Sequence, residues 1–251
     1  MKKLARGFTL TELMIVIAII IALTGISTSL YRSSKERANQ AAALSKMKAL
    51  GIAFTSFTVD HNGDLPFEDS SGTDDWVNAA KPENTDAWYN ALPKLMGSKS
   101  VGELGVQNPA GLYDAAHPLF IPGAPYPSQE KRAGAPVFAV AMNSRLQRKD
   151  ADGLKKPGKL ALIQEPAKTV VLLERGMSGD KQTMESQRGF DGSPKANARA
   201  FAARHAQKGC LIFADGHAQM LPASSLLTLS GGIIVPQTGV VWTLNPDEDP
   251  N

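Results

Sequence analysis

The chain has 251 residues, 43% of them hydrophobic and 20% charged, which allows one sizeable core and excludes general disorder. Of 27 basic residues, Lys2, Lys3 and Arg6 precede everything else, and the 24 that remain face 24 acidic ones; the net charge of +3 therefore makes no phosphate-binding surface, and no nucleic-acid partner is expected. Cys210 is the only cysteine, so an intramolecular disulfide and a cysteine-built zinc knuckle are both excluded.

The first element is basic and then apolar. Phe8 to Ile26, as a helix, would be about 28 Å long, enough to cross the hydrocarbon of a bilayer. The basic residues before it place the N-terminus in the cytoplasm and the rest of the chain outside. An ordinary cleaved signal fits poorly, because no clear small-x-small site follows the apolar run. Glu12 is the anomaly: an unpaired carboxylate in lipid costs on the order of 3 kcal/mol, so it either lies at the headgroups or has a dedicated cationic partner.

The residues "RGFTLTELMIVIAII" resemble the processing and methylation motif of type IV prepilins and of type II secretion pseudopilins. The resemblance implies cleavage by a prepilin peptidase between Gly7 and Phe8, followed by methylation of the new amino terminus. Residues 1–7 are then a leader and 8–60 the N-terminal helix, with 8–26 spanning the inner membrane. Glu12 takes the fifth position of the mature chain, where the family keeps its glutamate, and its implied role is assembly. The amine created at Phe8 would lie about 6 Å along the helix from Glu12. The family's glutamate meets the amine of a neighbouring subunit and sets the register of a filament.

Beyond the membrane segment, Ala43, Met47, Leu50, Phe54 and Phe57 recur at steps of four, three, four and three, one stripe of a helix packed on its own core. There is no proline between Phe8 and Val59, so a bend would have to use Gly25 or Gly51. "DHNGDLP", from Asp60 to Pro66, reads as the helix stop; its acidic spacing falls short of a calcium loop because Leu65 stands where glycine is required. Asp69 to Thr85 reads as loop. "DAWYNALPKLMG" reads as a short helix interrupted near Pro93, and residues 97–136 as irregular. Residues 136–142, 159–163, 168–174, 209–214, 217–221, 232–235 and 240–244 read as strands, those at 170–173 and 210–214 buried on both faces. The expected fold is α+β: a long N-terminal helix packed on an antiparallel sheet, pilin-like. The globular domain spans 61–251 and ends in a solvated acidic tail.

The last informative stretch is "RHAQKGCLIFADGHAQML". Asp215-Gly216 between two strand-like runs predicts a two-residue hairpin turn. The spacing of His205 from Asp215 and Gly216 resembles a His-x9-Asp-Gly signature of a pilin-like branch found in planctomycete and verrucomicrobial proteins. "DHNGDLP", "AWYNALP", "AVAMNSRL" and "PAKTVVLLE" resemble that branch too; a Cys-Pro pair common before its "AMNS" strand is missing here. These three residues are read as a structural motif, with Asp215 bonding local amides and His205 a loop at the sheet edge, and no metal is assigned. Calcium occurs in major pseudopilins, and Asp180, Glu185 and Asp191 have oxygens to offer without ordered ligand spacing.

Neither a nucleophile elbow nor a phosphate loop is visible, and the chain is not expected to be an enzyme. The reading is a filament subunit with no chemistry of its own. Its partners are the prepilin peptidase, other pilin subunits of the same and different kinds, and an inner-membrane assembly platform. The alternatives are a membrane-anchored extracytoplasmic module that binds polysaccharide through Trp76, Trp88 and Tyr89, or a metal-dependent hydrolase built on His205 and Asp215.

Overall fold

A computed structural model describes residues 9–68, 75–184, 186–226, 228–236 and 238–250. Helix α1 (Leu10–Asp60) starts at Thr9, whose hydroxyl accepts from the Glu12 amide while the Glu12 carboxylate accepts from the Thr9 amide, a capping box. It ends where Asn62 and Gly63 adopt φ of 53° and 82° and the Gly63 amide donates to the Thr58 carbonyl at 2.8 Å. This is the stop anticipated at Asp60–Pro66.

The two halves of α1 have different surroundings. Every residue from Leu10 to Lys35 is exposed, a rod of about 39 Å with aliphatic side chains all round. From Glu36 onward one face is covered, and Ala43, Met47, Leu50, Phe54 and Phe57 are all at most 4% exposed. Each such large side chain stabilises the packing by on the order of 2 kcal/mol.

Four short helices follow: α2 (Trp76–Ala79), α3 (Trp88–Leu95), α4 (Val101–Gln107) and α5 (Gln129–Gly134). The expected break at Pro93 does not occur. It lies inside α3, past the first turn of a helix only eight residues long, whose buried face of Trp88, Tyr89 and Leu92 holds it against α1.

The strands are β1 (Val140–Asn143), β2 (Arg148–Lys149), β3 (Lys155–Lys156), β4 (Val170–Glu174), β5 (Lys195–Ala196), β6 (Lys208–Phe213), β7 (Ala218–Pro222), β8 (Thr228–Ser230) and β9 (Ile233–Val235). One five-stranded sheet runs in the order β5-β1-β4-β6-β7; two hairpins, β2-β3 and β8-β9, stand apart. The expected antiparallel sheet is in fact mixed, since β5 pairs with β1 in parallel. Helix α1 with α2–α4 covers the face that bears Met142, Cys210 and Ile212. The other face, with Leu173, Leu211 and Phe213, is covered by Phe201, Leu226, Ile234 and Trp242.

Two expected strands are something else. Leu160–Leu162 forms one 3-10 turn, pinned because the Leu65 amide donates to Gly158 and the Leu160 amide to Gly63, so it has no sheet edge to pair with. Residues 240–244 make a single parallel bridge, Val241 to Thr169, beside the entry to β4. The acidic tail is only partly solvated: Asp247 and Glu248 are exposed, but Arg145 holds the Asp249 carbonyl at 2.8 Å and Pro250 is buried.

Candidate functional site

At the N-terminal end the Glu12 carboxylate points back over the start of α1, where it accepts from the Thr9 amide at 2.8 Å and the Thr9 hydroxyl at 2.7 Å. Gly7 and Phe8 lie outside the described residues. What the geometry provides is an acid at the start of a long apolar rod whose residues are exposed from Leu10 to Lys35.

The second concentration of chemistry lies where α1 enters the globular part. β4 carries a bulge between Val170 and Leu172. Simple alternation from Val170, which faces away from α1, would turn Glu174 away as well; the extra residue turns it toward the helix. Glu174 is fully buried there, opposite Cys210 on β6. Its Oε1 lies 3.3 Å from Nε2 of His205, which is 1% exposed, as an ion-pair contact without hydrogen-bond alignment. The other ring nitrogen, Nδ1, faces Glu36 Oε1 of α1 at 3.7 Å. Gly123 lies over the ring, so close that a Cβ there would touch both His205 and Asn39.

Arg204, next in the chain, is also buried. Its Nη1 lies 3.5 Å from Glu174 Oε2, and its Nε and Nη2 donate to both oxygens of Asp180, at 2.6 Å for Nη2. Arg204 Nη2 also donates to the Arg175 carbonyl. A cleft of about 600 Å³ opens beside this cluster, lined by Glu36, Asp180, Arg204 and Gln207 among others. The backbone delivers His205 by a tight reversal: its amide and carbonyl pair with Lys208 at 2.8 and 3.0 Å, across Ala206 and Gln207 at φ of 49° and 64°. That is a primed two-residue turn built without glycine, asparagine or aspartate.

Asp215 and Gly216 lie at the opposite end of β6. The structure does not bring them to His205, since a strand of that length separates them by roughly 17–20 Å. The hairpin turn has three residues, not two: the Phe213 amide donates to the His217 carbonyl and the Gly216 amide to the Phe213 carbonyl, with Gly216 at φ 88°. Asp215 Oδ1 accepts from the His217 amide at 3.1 Å and meets the His217 ring at 2.6 Å, and that ring stacks on Phe213. Gly216 touches α1: a Cβ on Gly51 would overlap its carbonyl oxygen, and a Cβ on Gly216 would overlap Thr55 Oγ1. The two ends of β6 therefore meet α1 near Glu36 and near Gly51.

The other sequence candidates have structural places. Trp76, Trp88 and Tyr89 are buried, and the indoles of Trp76 and Trp88 donate to the carbonyls of Arg132 and Pro194, so none offers a ring face to a sugar. Of the calcium candidates, Asp180 is taken up by Arg204 and Asp191 by Arg175, whose Nη2 lies 2.5 Å from Oδ1; Glu185 lies outside the described residues. Among the described residues no group of three or more histidine, cysteine or acidic side chains could hold a metal. Burial pushes the Cys210 thiol well above its ordinary value, which keeps it protonated and poor as a nucleophile. Sequence reasoning missed Glu36, Glu174 and Arg204; the available signal was the carboxylate that closes the otherwise apolar run "VVLLE".

The architecture is that of a pilin-like α+β protein, a long exposed helix leading into a helix-on-sheet head. A family model, the prokaryotic N-terminal methylation motif, matches residues 2–28 and indicates a type IV pilin or pseudopilin-type precursor. No curated protein and no solved structure matches the chain. The motif implies processing by a prepilin peptidase and assembly with other pilins, and with the apolar helix it supports membrane anchoring.

Proposed function

We propose that this protein is a structural subunit of a type II secretion-like or type IV pilus-like filament. The observation that carries the reading is the methylation motif at residues 2–28 coinciding with an apolar helical stretch that is exposed from Leu10 to Lys35. Prepilin peptidase cuts between Gly7 and Phe8, and Phe8 is N-methylated. Before assembly, residues 8–26 anchor the chain in the inner membrane with the head outside. Assembly on an inner-membrane platform moves the helix into a filament core, where other helices replace lipid. Glu12 exchanges its two bonds from Thr9 for the amine of a neighbouring subunit, because a buried acid and a buried amine are each costly alone.

The test is the intact mass and N-terminal peptide of protein taken from its own membranes. A chain that begins at N-methyl-Phe8 supports the reading; one that begins at Met1, from cells with an active prepilin peptidase, sinks it and leaves a membrane-anchored binding module. Gly7→Ala should block the cut, whereas Glu12→Ala should be cut normally and assemble poorly.

A further inference from the structure

Each ring nitrogen of His205 faces a carboxylate. A neutral imidazole has one N–H and one lone pair, so it satisfies a carboxylate at only one of its nitrogens. Here a carboxylate oxygen stands at each, Glu174 on β4 at 3.3 Å and Glu36 on α1 at 3.7 Å. The imidazolium, with two N–H groups and a positive charge, suits both sides better than either neutral tautomer. The charges facing it favour the cation on balance: Glu174 and Glu36 face the ring, while the opposing guanidinium of Arg204 is engaged by Asp180 and Glu174. Cys210 on β6 and Tyr126 of the overlying loop stay neutral because burial raises both. The bulge in β4 that turns Glu174 toward α1, and the strained reversal that delivers His205, are two backbone devices that converge on this contact.

We propose that His205 is held as an imidazolium rivet between α1 and the sheet, so that the grip of the head on the first enclosed turn of α1 is controlled by pH. Burial draws the imidazole down, but the Glu174 carboxylate, with Glu36 behind it, outweighs burial and holds the group above its ordinary value. The direction follows. The stabilisation is complete below the unfolded histidine value of about 6.5 and is lost as pH rises through the higher folded value. Above that value Glu36 loses its partner and the turn from Glu36 to Gln40 loosens first, since Ala43 and Met47 behind it remain packed. Neither the filament reading nor its processing step is needed for this.

The test uses the full chain in detergent micelles. Imidazole resonances are followed by NMR from pH 5 to 10 (roughly the span of the titrations at issue), and His205 is assigned by the signal missing from His205→Gln. His205 is expected to titrate above about 6.5, and Glu36→Gln to lower its midpoint. Amide exchange over residues 36–47, corrected for the intrinsic pH dependence, should speed up several-fold above the midpoint in the wild type and show no such step in His205→Gln. A His205 that titrates at or below 6.5 overturns the proposal, and so does a midpoint unmoved by Glu36→Gln or exchange without a step. Glu36 is 42% exposed at its side chain, so Glu36→Gln keeps the fold and carries the test even where His205→Gln does not.

Discussion

Gly51 and Gly216 show how much one missing side chain decides. Alanine is the better helix former by up to about 1 kcal/mol, so Gly51→Ala would be favourable on an isolated helix. In the folded chain the new Cβ meets the Gly216 carbonyl, which is backbone and has nowhere to go. Overpacking of this kind costs about 1–3 kcal/mol, so the net effect should be a lower melting temperature. Gly25→Ala is the control: nothing lies within 4 Å of a Cβ at Gly25, so only the helix gain remains. Equal melting temperatures for the two variants would mean that the contact with Gly216 is not as close as described. The reason for glycine at 51 was not legible in the sequence, where bending was the natural guess; the partner is 165 positions away in the chain.

At the scale of elements, local pattern succeeded wherever one face of an element decides its fate. The stripe from Ala43 to Phe57 and the runs at 170–174 and 209–213 all found their partners, because burial of those side chains outweighs any competing local preference. It failed where apolar residues answer to a neighbour's backbone. "KLALI" is apolar enough for a strand, yet it is committed to the cap of α1 and leaves Leu162 47% exposed. The position of His205 beneath α1 depends on a reversal that no residue type announces. Ala206 and Gln207 hold left-handed conformations that disfavour ordinary side chains by about 1 kcal/mol each. Replacing them together, Ala206→Asn with Gln207→Gly, supplies the preferred pair for this turn and should stabilise the chain by about 1 kcal/mol in a denaturant titration. A loss instead would show that the two side chains contribute contacts worth more than the strain.

For the molecule as a whole, the loop between β4 and β5 is tied down from within. Arg175 donates to the carbonyls of Gly189 and Lys195 and pairs with Asp191, while Arg204 pairs with Asp180. Arg204 and Asp180 are both nearly buried, and removing the guanidinium of such a pair typically costs about 3–5 kcal/mol because it strands a carboxylate; Asp191 is exposed, so its pair with Arg175 contributes less. Two side-chain cations thus engage oxygens of Asp180 and Asp191. Chelation should leave the melting temperature of the purified chain unchanged, and added calcium should not raise it; a calcium-dependent rise would place an ion among oxygens other than those of Asp180 and Asp191.

The contact of α1 with both ends of β6 turns that strand into a measuring stick. From Glu36 to Gly51 the helix advances about 22 Å, close to the length of β6 with its flanking residues. One residue added inside β6 would send every following side chain to the wrong face. Two would restore the faces but lengthen the strand by about 7 Å, so His205 and Gly216 would no longer fit the same helix together. Chain length can therefore drift in the loops that cover the head, while the nine positions between His205 and Asp215 have a length that the helix alongside them dictates.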